Sequence, residues 1–316
     1  IAVDGRVLVD TRSGTFVPKH RRRLGYVFQD ARLFPHMTVR QNLAYGRWFT
    51  PASERYADDK AVIGLLGIGP LLDRRQSLLS GGEKQRVAIG RALVSSPRLL
   101  LMDEPLASLD DARKAEIIPY IERLRDEGGI PIVYVSHSLG EVARLATEVV
   151  VLSQGRVTAS GPTRDVMQRL DLMPEGEADE GGAVLDLTVA GHDEAAGLTH
   201  LRARGGTWRL RRLDLPVGSP VRIRVRARDV MIATEAPKGL SAINILPGRI
   251  AGVDEGSGWD ALVSIDCDGD VLLARVTRHS VRALALAPGK PVYAVVKAVT
   301  FDRSNVGRGL PATAEA

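Results

Sequence analysis

One stretch of the chain, from Leu79 to Asp110, sets the strongest limits on what the chain can fold into. It reads LSGGEKQRVAIGRALVSSPRLLLMDEPLASLD, a Ser-Gly-Gly turn followed by apolar residues at helical spacing. An apolar run, Leu99 to Met102, comes next and ends in two adjacent carboxylates, Asp103 and Glu104. Its length, its flanking prolines and its lack of alternation are typical of a buried parallel strand. Because ligands of open α/β sheets bind at the carboxyl ends of such strands, the two acids are candidate site residues.

Each part of this stretch also has a purely structural interpretation. Ser80 and Glu83 can form a capping box that merely starts a helix, and paired acids after a strand can merely cap a turn. The ordered combination is far more specific. LSGGEKQR, LLLMDE and SLD (Ser108 to Asp110) resemble the signature, the Walker B strand and the D-loop of the ATP-binding-cassette (ABC) ATPases. The resemblance implies an α/β domain of the P-loop NTPase type.

The composition limits the classes of protein to which the chain can belong. Its 316 residues leave room for about two domains, and 44% hydrophobic with 26% charged residues is typical of a soluble globular protein. Aromatic residues make up 4% and the net charge is +5, so we expect no nucleic-acid partner. Cys267 is the single cysteine, which excludes an internal disulfide and a cysteine-cluster zinc site. No apolar run approaches the roughly 18 residues of a membrane helix, so we expect any membrane role to come through a partner.

Two further residues follow predicted strands. Gln29 comes directly after a short strand predicted at Tyr26 to Phe28, and His137 follows the apolar run IPIVYVS. A lone glutamine or histidine after a strand is usually structural. In this order around LSGGE, however, the two resemble the Q-loop glutamine and the switch histidine of ABC ATPases. The resemblance implies that Gln29 reaches the metal and the attacking water, and that His137 steadies the γ-phosphate.

The same resemblance implies a role for each remaining motif residue, with ATP and Mg²⁺ as cofactors. Asp103 would hold Mg²⁺ together with Gln29, and Glu104 would be the general base. The signature turn would bind the γ-phosphate of ATP held by the opposite subunit, because the N–H groups at a helix start suit an anion. The residues implied for this nucleotide contact are Ser80, Gly81, Gly82, Gln85 and, coupling the two sites, Asp110.

One ABC motif does not occur in the 316 residues. A P-loop, G-x-x-x-x-G-K-[ST], should precede the first strand, because its backbone amides and lysine cradle the phosphates. The chain instead starts at Ile1, in what resembles the middle of the nucleotide-binding subdomain. We infer that an N-terminal segment was lost or left out, and we expect this polypeptide to bind ATP poorly and to hydrolyse it hardly at all.

Periodicity predicts the elements that follow the D-loop. An amphipathic helix is predicted over 111–127, kinked at Pro119 and ended by Gly128-Gly129. A hairpin is predicted over 148–160, turning at Gln154-Gly155. The acidic, glycine-rich run MPEGEADEGG has almost nothing to bury, so we predict a linker there. The predicted organisation is an ABC domain at 1–172, a linker at 173–183, a β-rich segment at 184–237, an OB-like domain at 238–305 and a tail at 306–316.

Beyond the linker, short strands with turn punctuation indicate small barrels of the oligomer-binding (OB) type. The run VRIRVR, at 221–226, places three arginines on one face of a strand, which we expect to be an outward, solvated face. The segments SAINILPGRI and PGKPVYAVVKAV resemble the Mop (TOBE) regulatory domain of molybdate importers. That resemblance implies an oxyanion site at Ser241, Asn244 and Lys297, and the family often has a basic residue where Ile243 stands. A dianion without protons needs donors only, and hydroxyl, amide and ammonium groups supply them.

Taken together, the resemblances imply the ATP-hydrolysing subunit of an ABC importer, with molybdate as the predicted cargo. The implied partners are a second copy bound through the ABC domains, integral-membrane permease subunits and a periplasmic or extracellular binding protein. The implied location is the cytoplasmic face of the cell membrane. Three alternatives stay open: an importer ATPase for sulfate, iron, polyamine or sugar; a non-catalytic oxyanion-binding regulator; and a soluble ABC protein of DNA repair or translation.

Overall fold

The computed structural model describes residues 1–169, 181–255, 258–301 and 305–309. Within these ranges the chain forms two compact units, which divide after His137. The division falls upstream of the predicted linker at 173–183, of which 173–180 lie outside the described residues. The limits predicted from the sequence for the domains stay predictions. No helix in the described ranges is both long enough and apolar enough to cross a membrane.

The first unit contains short strands, a parallel sheet and four α-helices among its described residues. The strands are β1 (Ala2–Val3), β2 (Arg6–Val7), β3 (Val9–Asp10), β4 (Thr15–Phe16), β5 (Leu24–Val27), β6 (Leu99–Asp103) and β7 (Ile132–Val135). The helices are α1 (Val39–Trp48), α2 (Asp59–Leu66), α3 (Gly81–Val94) and α4 (Asp111–Glu127).

The parallel sheet has the spatial order β5-β6-β7. Tyr26 lies beside Leu101, and Leu101 lies beside Val133, so the three carboxyl ends fall at one edge. The central strand is the buried one that the apolar run predicts: Leu100 and Met102 are 0% and 1% exposed. This register brings the residues that follow each strand to a common edge.

Local sequence signals explain where the two longest helices begin and end. Ser80 caps α3 and forms the expected capping box with Glu83. Asp110 caps α4 by accepting a hydrogen bond from the backbone of Arg113, at 2.9 Å. Helix α4 spans Asp111–Glu127 with Gly128 as its C-cap, which confirms the predicted bounds, and it continues through Pro119. The predicted kink at Pro119 stays a prediction. Its apolar side is buried, at Ile117, Ile118, Ile121 and Leu124.

The second unit is mostly β-structure within the ranges described. Its strands are β8 (Glu148–Ser153), β9 (Arg156–Pro162), β10 (Gly182–Asp193), β11 (Leu198–Arg202), β12 (Thr207–Arg211), β13 (Pro220–Arg226), β14 (Met231–Ala233), β15 (Asn244–Asp254), β16 (Asp260–Cys267), β17 (Asp270–Thr277), β18 (Pro291–Val296) and β19 (Val306–Arg308). Its helices are α5 (Leu139–Leu145), α6 (Thr163–Met167) and α7 (Arg278–Ala283).

Two antiparallel sheets share the core of this unit. Among the described strands, one sheet has the order β12-β11-β10-β13-β19 and the other β14-β18-β15-β16-β17. Apolar residues of both sheets form one buried cluster, which includes Trp208, Ile223, Val263 and Ala294. Trp208 meets Phe301 edge to face, with ring centroids 5.7 Å apart. The predicted β8–β9 hairpin is confirmed, with its turn at Gln154 and Gly155.

The expectation of a solvated arginine face on β13 is wrong. Arg222 and Arg224 are only 4% and 7% exposed. Arg222 forms a two-pronged ion pair with Asp186 on β10, at 2.8 and 3.0 Å, and donates to the carbonyl of Ala146 at 2.6 Å. A Cβ atom on Gly140 would lie 3.0 Å from a terminal nitrogen of Arg224. The segment around α5 therefore covers this face, and it can approach because residue 140 is glycine.

Candidate functional site

The candidate site of the first unit lies at the carboxyl edge of the parallel sheet. Gln29 follows β5, Asp103 ends β6 with Glu104 directly after it, and His137 follows β7. The three strands are neighbours in register, so all four predicted residues come to one edge. Gln29 and Asp103 are exposed. The sheet thus presents an amide, two carboxylates and an imidazole on a surface that a polar ligand can reach.

Asp103 is oriented by a residue that the sequence does not single out. The hydroxyl of Tyr26, on the neighbouring strand, donates to Oδ2 of Asp103 at 2.9 Å. This hydrogen bond raises the pKa of Tyr26, with smaller contributions from desolvation and from the charge of Asp103. Tyr26 therefore stays a neutral donor, and it holds the carboxylate in place at the strand end.

Glu104 turns away from the strand and toward His137. Its φ of 43° is in the left-handed region, which side-chain-bearing residues seldom occupy. Its amide still donates to the carbonyl of Val135 at 2.9 Å, so the backbone stays fastened to β7. Oε1 of Glu104 lies 3.3 Å from Nδ1 of His137, and the two side chains are 32% and 66% exposed. A partly buried carboxylate held beside an imidazole is a suitable pair for moving a proton.

The signature turn presents free amides at the start of a helix. Ser80 and Glu83 bond each other reciprocally, at 2.7 and 3.2 Å. These bonds use the amides of Ser80 and Glu83 and leave those of Gly81 and Gly82 at the positive end of α3, which suits an anion. A Cβ on Gly81 would lie 3.0 Å from the side chain of Leu109, so glycine also lets the D-loop approach the turn.

Two predicted nucleotide residues have structural partners. Gln85 is 3% exposed, and its Nε2 donates to the carbonyl of Phe28 at 3.2 Å. It therefore supports the backbone directly before Gln29. Asp110 accepts from the amide of Arg113 and also faces the Arg113 guanidinium at 3.4 Å. Gln85 thus supports the segment before Gln29, and Asp110 supports the start of α4 after the D-loop.

The second predicted site lies in the second unit, where β15 begins and β18 ends. Ser241 and Lys297 are exposed there. Asn244 is 1% exposed, and its amide bonds the main chain of Arg209 on β12: Oδ1 accepts at 2.7 Å and Nδ2 donates at 3.0 Å. Ser241 and Lys297 are therefore the predicted oxyanion residues whose side chains can reach a ligand.

Sequence reasoning missed two contributors, Tyr26 and Arg209. Tyr26 could have been found from its place one strand away from Asp103, once the register was known. Arg209 is 35 residues upstream of Asn244 along the chain, and no spacing rule connects the two. Both depend on pairings between distant segments.

Comparison with known proteins identifies the family of this chain. The family model described as ABC transporter matches residues 2–107, and the TOBE domain model matches residues 240–300. A molybdenum import ATP-binding protein, ModC, of Mesorhizobium japonicum is 68% identical over 98% of this chain and 84% of its own length. The protein of the same name from Rhizobium etli is 55% identical over 96% of this chain and 84% of its own length.

A solved structure, the cytoplasmic molybdate-binding protein ModG, is 30% identical and covers 40% of this chain and 95% of its own. Its TM-score of 0.35 is too low to support a fold, and the assignment depends on the family models and relatives. These confirm the predicted fold class, an ABC ATPase domain followed by an OB-type domain. The chain belongs to the family of molybdenum import ATP-binding proteins, which are transport ATPases of the ABC class.

Proposed function

We propose that this chain is the ATP-hydrolysing subunit of an ABC importer for molybdate. The observation that carries the proposal is the convergence of Gln29, Asp103, Glu104 and His137 at one sheet edge. The relatives that share 55–68% of its residues are named for molybdenum import, which supports the choice of cargo.

The chemistry of the edge suits Mg²⁺ and a hydrolytic water. Asp103 and Gln29 offer carboxylate and amide oxygens, which are the ligands that Mg²⁺ accepts alongside phosphates and water. Bound there, the ion would neutralise charge that develops on the phosphates. Glu104 would accept the proton of the attacking water, and His137, 3.3 Å from Glu104, would orient the water and γ-phosphate.

The signature turn would act on a second copy of the chain. Its amides at Gly81 and Gly82 lie on a helix start, whereas the hydrolytic residues lie at the sheet edge. In the proposed head-to-tail dimer, the turn of one copy binds the γ-phosphate of ATP held by the other. Asp110, at the N-cap of α4, would couple the two composite sites.

Ser241 and Lys297 form the proposed oxyanion site of the second unit. A hydroxyl and an ammonium group donate to a tetrahedral dianion, and neither competes with it as an acceptor carboxylate would. The proposed partners are integral-membrane permease subunits and a substrate-binding protein. Attachment to those permeases would hold the chain at the cytoplasmic face of the membrane.

The direct test is ATP hydrolysis by a chain extended at Ile1 with a segment that carries G-x-x-x-x-G-K-[ST]. We expect Mg²⁺-dependent turnover that rises with the square of protein concentration at low concentration, because two copies form each site. A matched Ser80→Arg variant should lose turnover yet keep ATP binding. Turnover that is linear in concentration and insensitive to Ser80→Arg would contradict the shared site.

A further inference from the structure

A second exposed cation, Arg209, lies near the proposed oxyanion residues Ser241 and Lys297. Asn244, the first residue of β15, pairs with Val296, the last residue of β18. One step beyond this pair, Ile243 and Lys297 continue at the same end of the sheet. Nη1 of Arg209 donates to the carbonyl oxygen of Ile243 at 3.4 Å, so its guanidinium lies at the end of the sheet where Lys297 precedes the turn Ala298–Thr300.

The position of Arg209 is determined by its main chain. Its amide and carbonyl are the two atoms that Asn244 binds, at 2.7 and 3.0 Å. The neighbouring residue Trp208 is 1% exposed and packs on Phe301, just after the same turn. Arg209 is itself exposed, and its guanidinium reaches this edge, where Nη1 donates to the carbonyl of Ile243.

The positive charges of Arg209 and Lys297 at this end of the sheet favour the binding of an anion. Among the described residues, neither Arg209 nor Lys297 forms an ion pair. Ile243, which directly precedes Asn244, has no side-chain donor. Two cations at the same end of a sheet repel each other, and an anion bound between them offsets that repulsion. An oxyanion with two negative charges supplies that counter-charge, and a planar guanidinium can bind two of its oxygens at once.

We propose that Arg209 is a binding residue of the oxyanion site and donates to the bound anion together with Ser241 and Lys297. This inference rests on the proposed function of that site. It adds a residue from another sheet, so the site forms only when β12 is docked on the start of β15.

The test is molybdate binding by the full chain, measured by equilibrium dialysis. Arg209→Ala should weaken binding about 10- to 100-fold, the usual effect of losing a hydrogen bond to a charged group. Arg211→Ala is the matched control, since Arg211 lies two residues further on the same face of β12 and is also exposed. It should change the affinity less than about twofold, and Arg209→Lys should retain part of the affinity because it keeps the charge.

The outcomes separate the two proposals. No molybdate binding by the unaltered chain would reject the oxyanion site, and Arg209 with it. Tight binding by the unaltered chain and by Arg209→Ala, with Lys297→Ala weakened, would keep the site and reject Arg209. Circular dichroism and size-exclusion elution check that each variant keeps its fold and assembly. If Arg209→Ala fails that check, Arg209→Gln replaces it, because glutamine retains length without charge.

Discussion

Glu104 has a backbone conformation that residues with a side chain seldom adopt. Its left-handed φ of 43° costs of the order of 1 kcal/mol or more for a residue with a Cβ. The 2.9 Å bond from its amide to Val135 helps to hold that conformation. The consequence is that the carboxylate leaves the line of the strand and lies beside His137.

Glu104→Gln tests the base assignment in the chain extended with a P-loop. Glutamine preserves size but accepts no proton, so hydrolysis should fall by about 100- to 10,000-fold while ATP binding persists. Phosphate release and fluorescent nucleotide binding would be measured together. Glu116→Gln, an exposed change on α4, is the control and should hydrolyse normally. Equal turnover in both variants would rule out Glu104 as the base.

The raised pKa of the buried Cys267 thiol predicts that the free energy of unfolding depends on pH. Burial, reinforced by the charges of Asp266 and Asp270, raises the pKa of its thiol from 9.0 to about 12. A raised pKa means that the unfolded chain loses this proton first. The contribution to stability is complete below pH 9 and declines between pH 9 and 12, by up to about 1.4 kcal/mol per pH unit.

Urea titrations at pH 8, 9, 10 and 11 would measure this decline. Cys267→Ala carries no thiol, so its free energy of unfolding should fall less steeply with pH than that of the unaltered chain. If the free energy of unfolding fell equally steeply with pH in both proteins, the raised pKa of Cys267 would be contradicted. A thiol reagent at pH 8 should also react with Cys267 only after unfolding, because the side chain is 0% exposed.

At the scale of elements, Asn244 fastens β12 to the start of β15. Asn244→Ala removes both bonds to the main chain of Arg209, whose amide and carbonyl then lose these part-buried partners, so we expect a loss of about 1–3 kcal/mol. Trp208, 1% exposed in the same unit, reports unfolding by its fluorescence. Ser241→Ala, on an exposed neighbour, should change stability by less than about 0.5 kcal/mol. Equal stability of the two variants would show that the hydrogen bonds of Asn244 to Arg209 contribute nothing to stability.

The ion pair between Arg222 and Asp186 joins β13 to β10. Asp186→Ala leaves a guanidinium 4% exposed without its carboxylate, and we expect a loss of about 2 kcal/mol, less than for a fully buried pair because Asp186 is 45% exposed. The double variant Asp186→Ala/Arg222→Met should recover part of that loss in urea titration. A double variant less stable than Asp186→Ala alone would contradict this explanation.

The elements that the sequence predicts well are those specified by local signals. The capping box at Ser80, the helix Asp111–Glu127 and the hairpin at Gln154-Gly155 each depend on residues only a few positions apart. The buried state of Arg222 depends on Asp186 and Ala146, tens of residues away, and alternation alone cannot indicate it. The pairings of Tyr26 with Asp103 and of Arg209 with Asn244 escaped prediction for the same reason.

At the scale of the whole molecule, the two sets of predicted site residues lie in different compact units. The first unit gathers groups that suit phosphoryl transfer, and the second gathers donors that suit an oxyanion. We propose that ATP hydrolysis supplies the energy for transport and that the second unit senses the transported ion. Each activity can then be removed by a substitution that leaves the other intact.

The most direct measurement is molybdate uptake by cells that lack their own molybdenum import ATP-binding protein and express the P-loop-extended chain. We predict that radioactive molybdate uptake is restored, that Glu104→Gln abolishes it, and that excess sulfate competes only weakly. Restored ATP hydrolysis without molybdate uptake, or uptake of sulfate in its place, would contradict the proposed function.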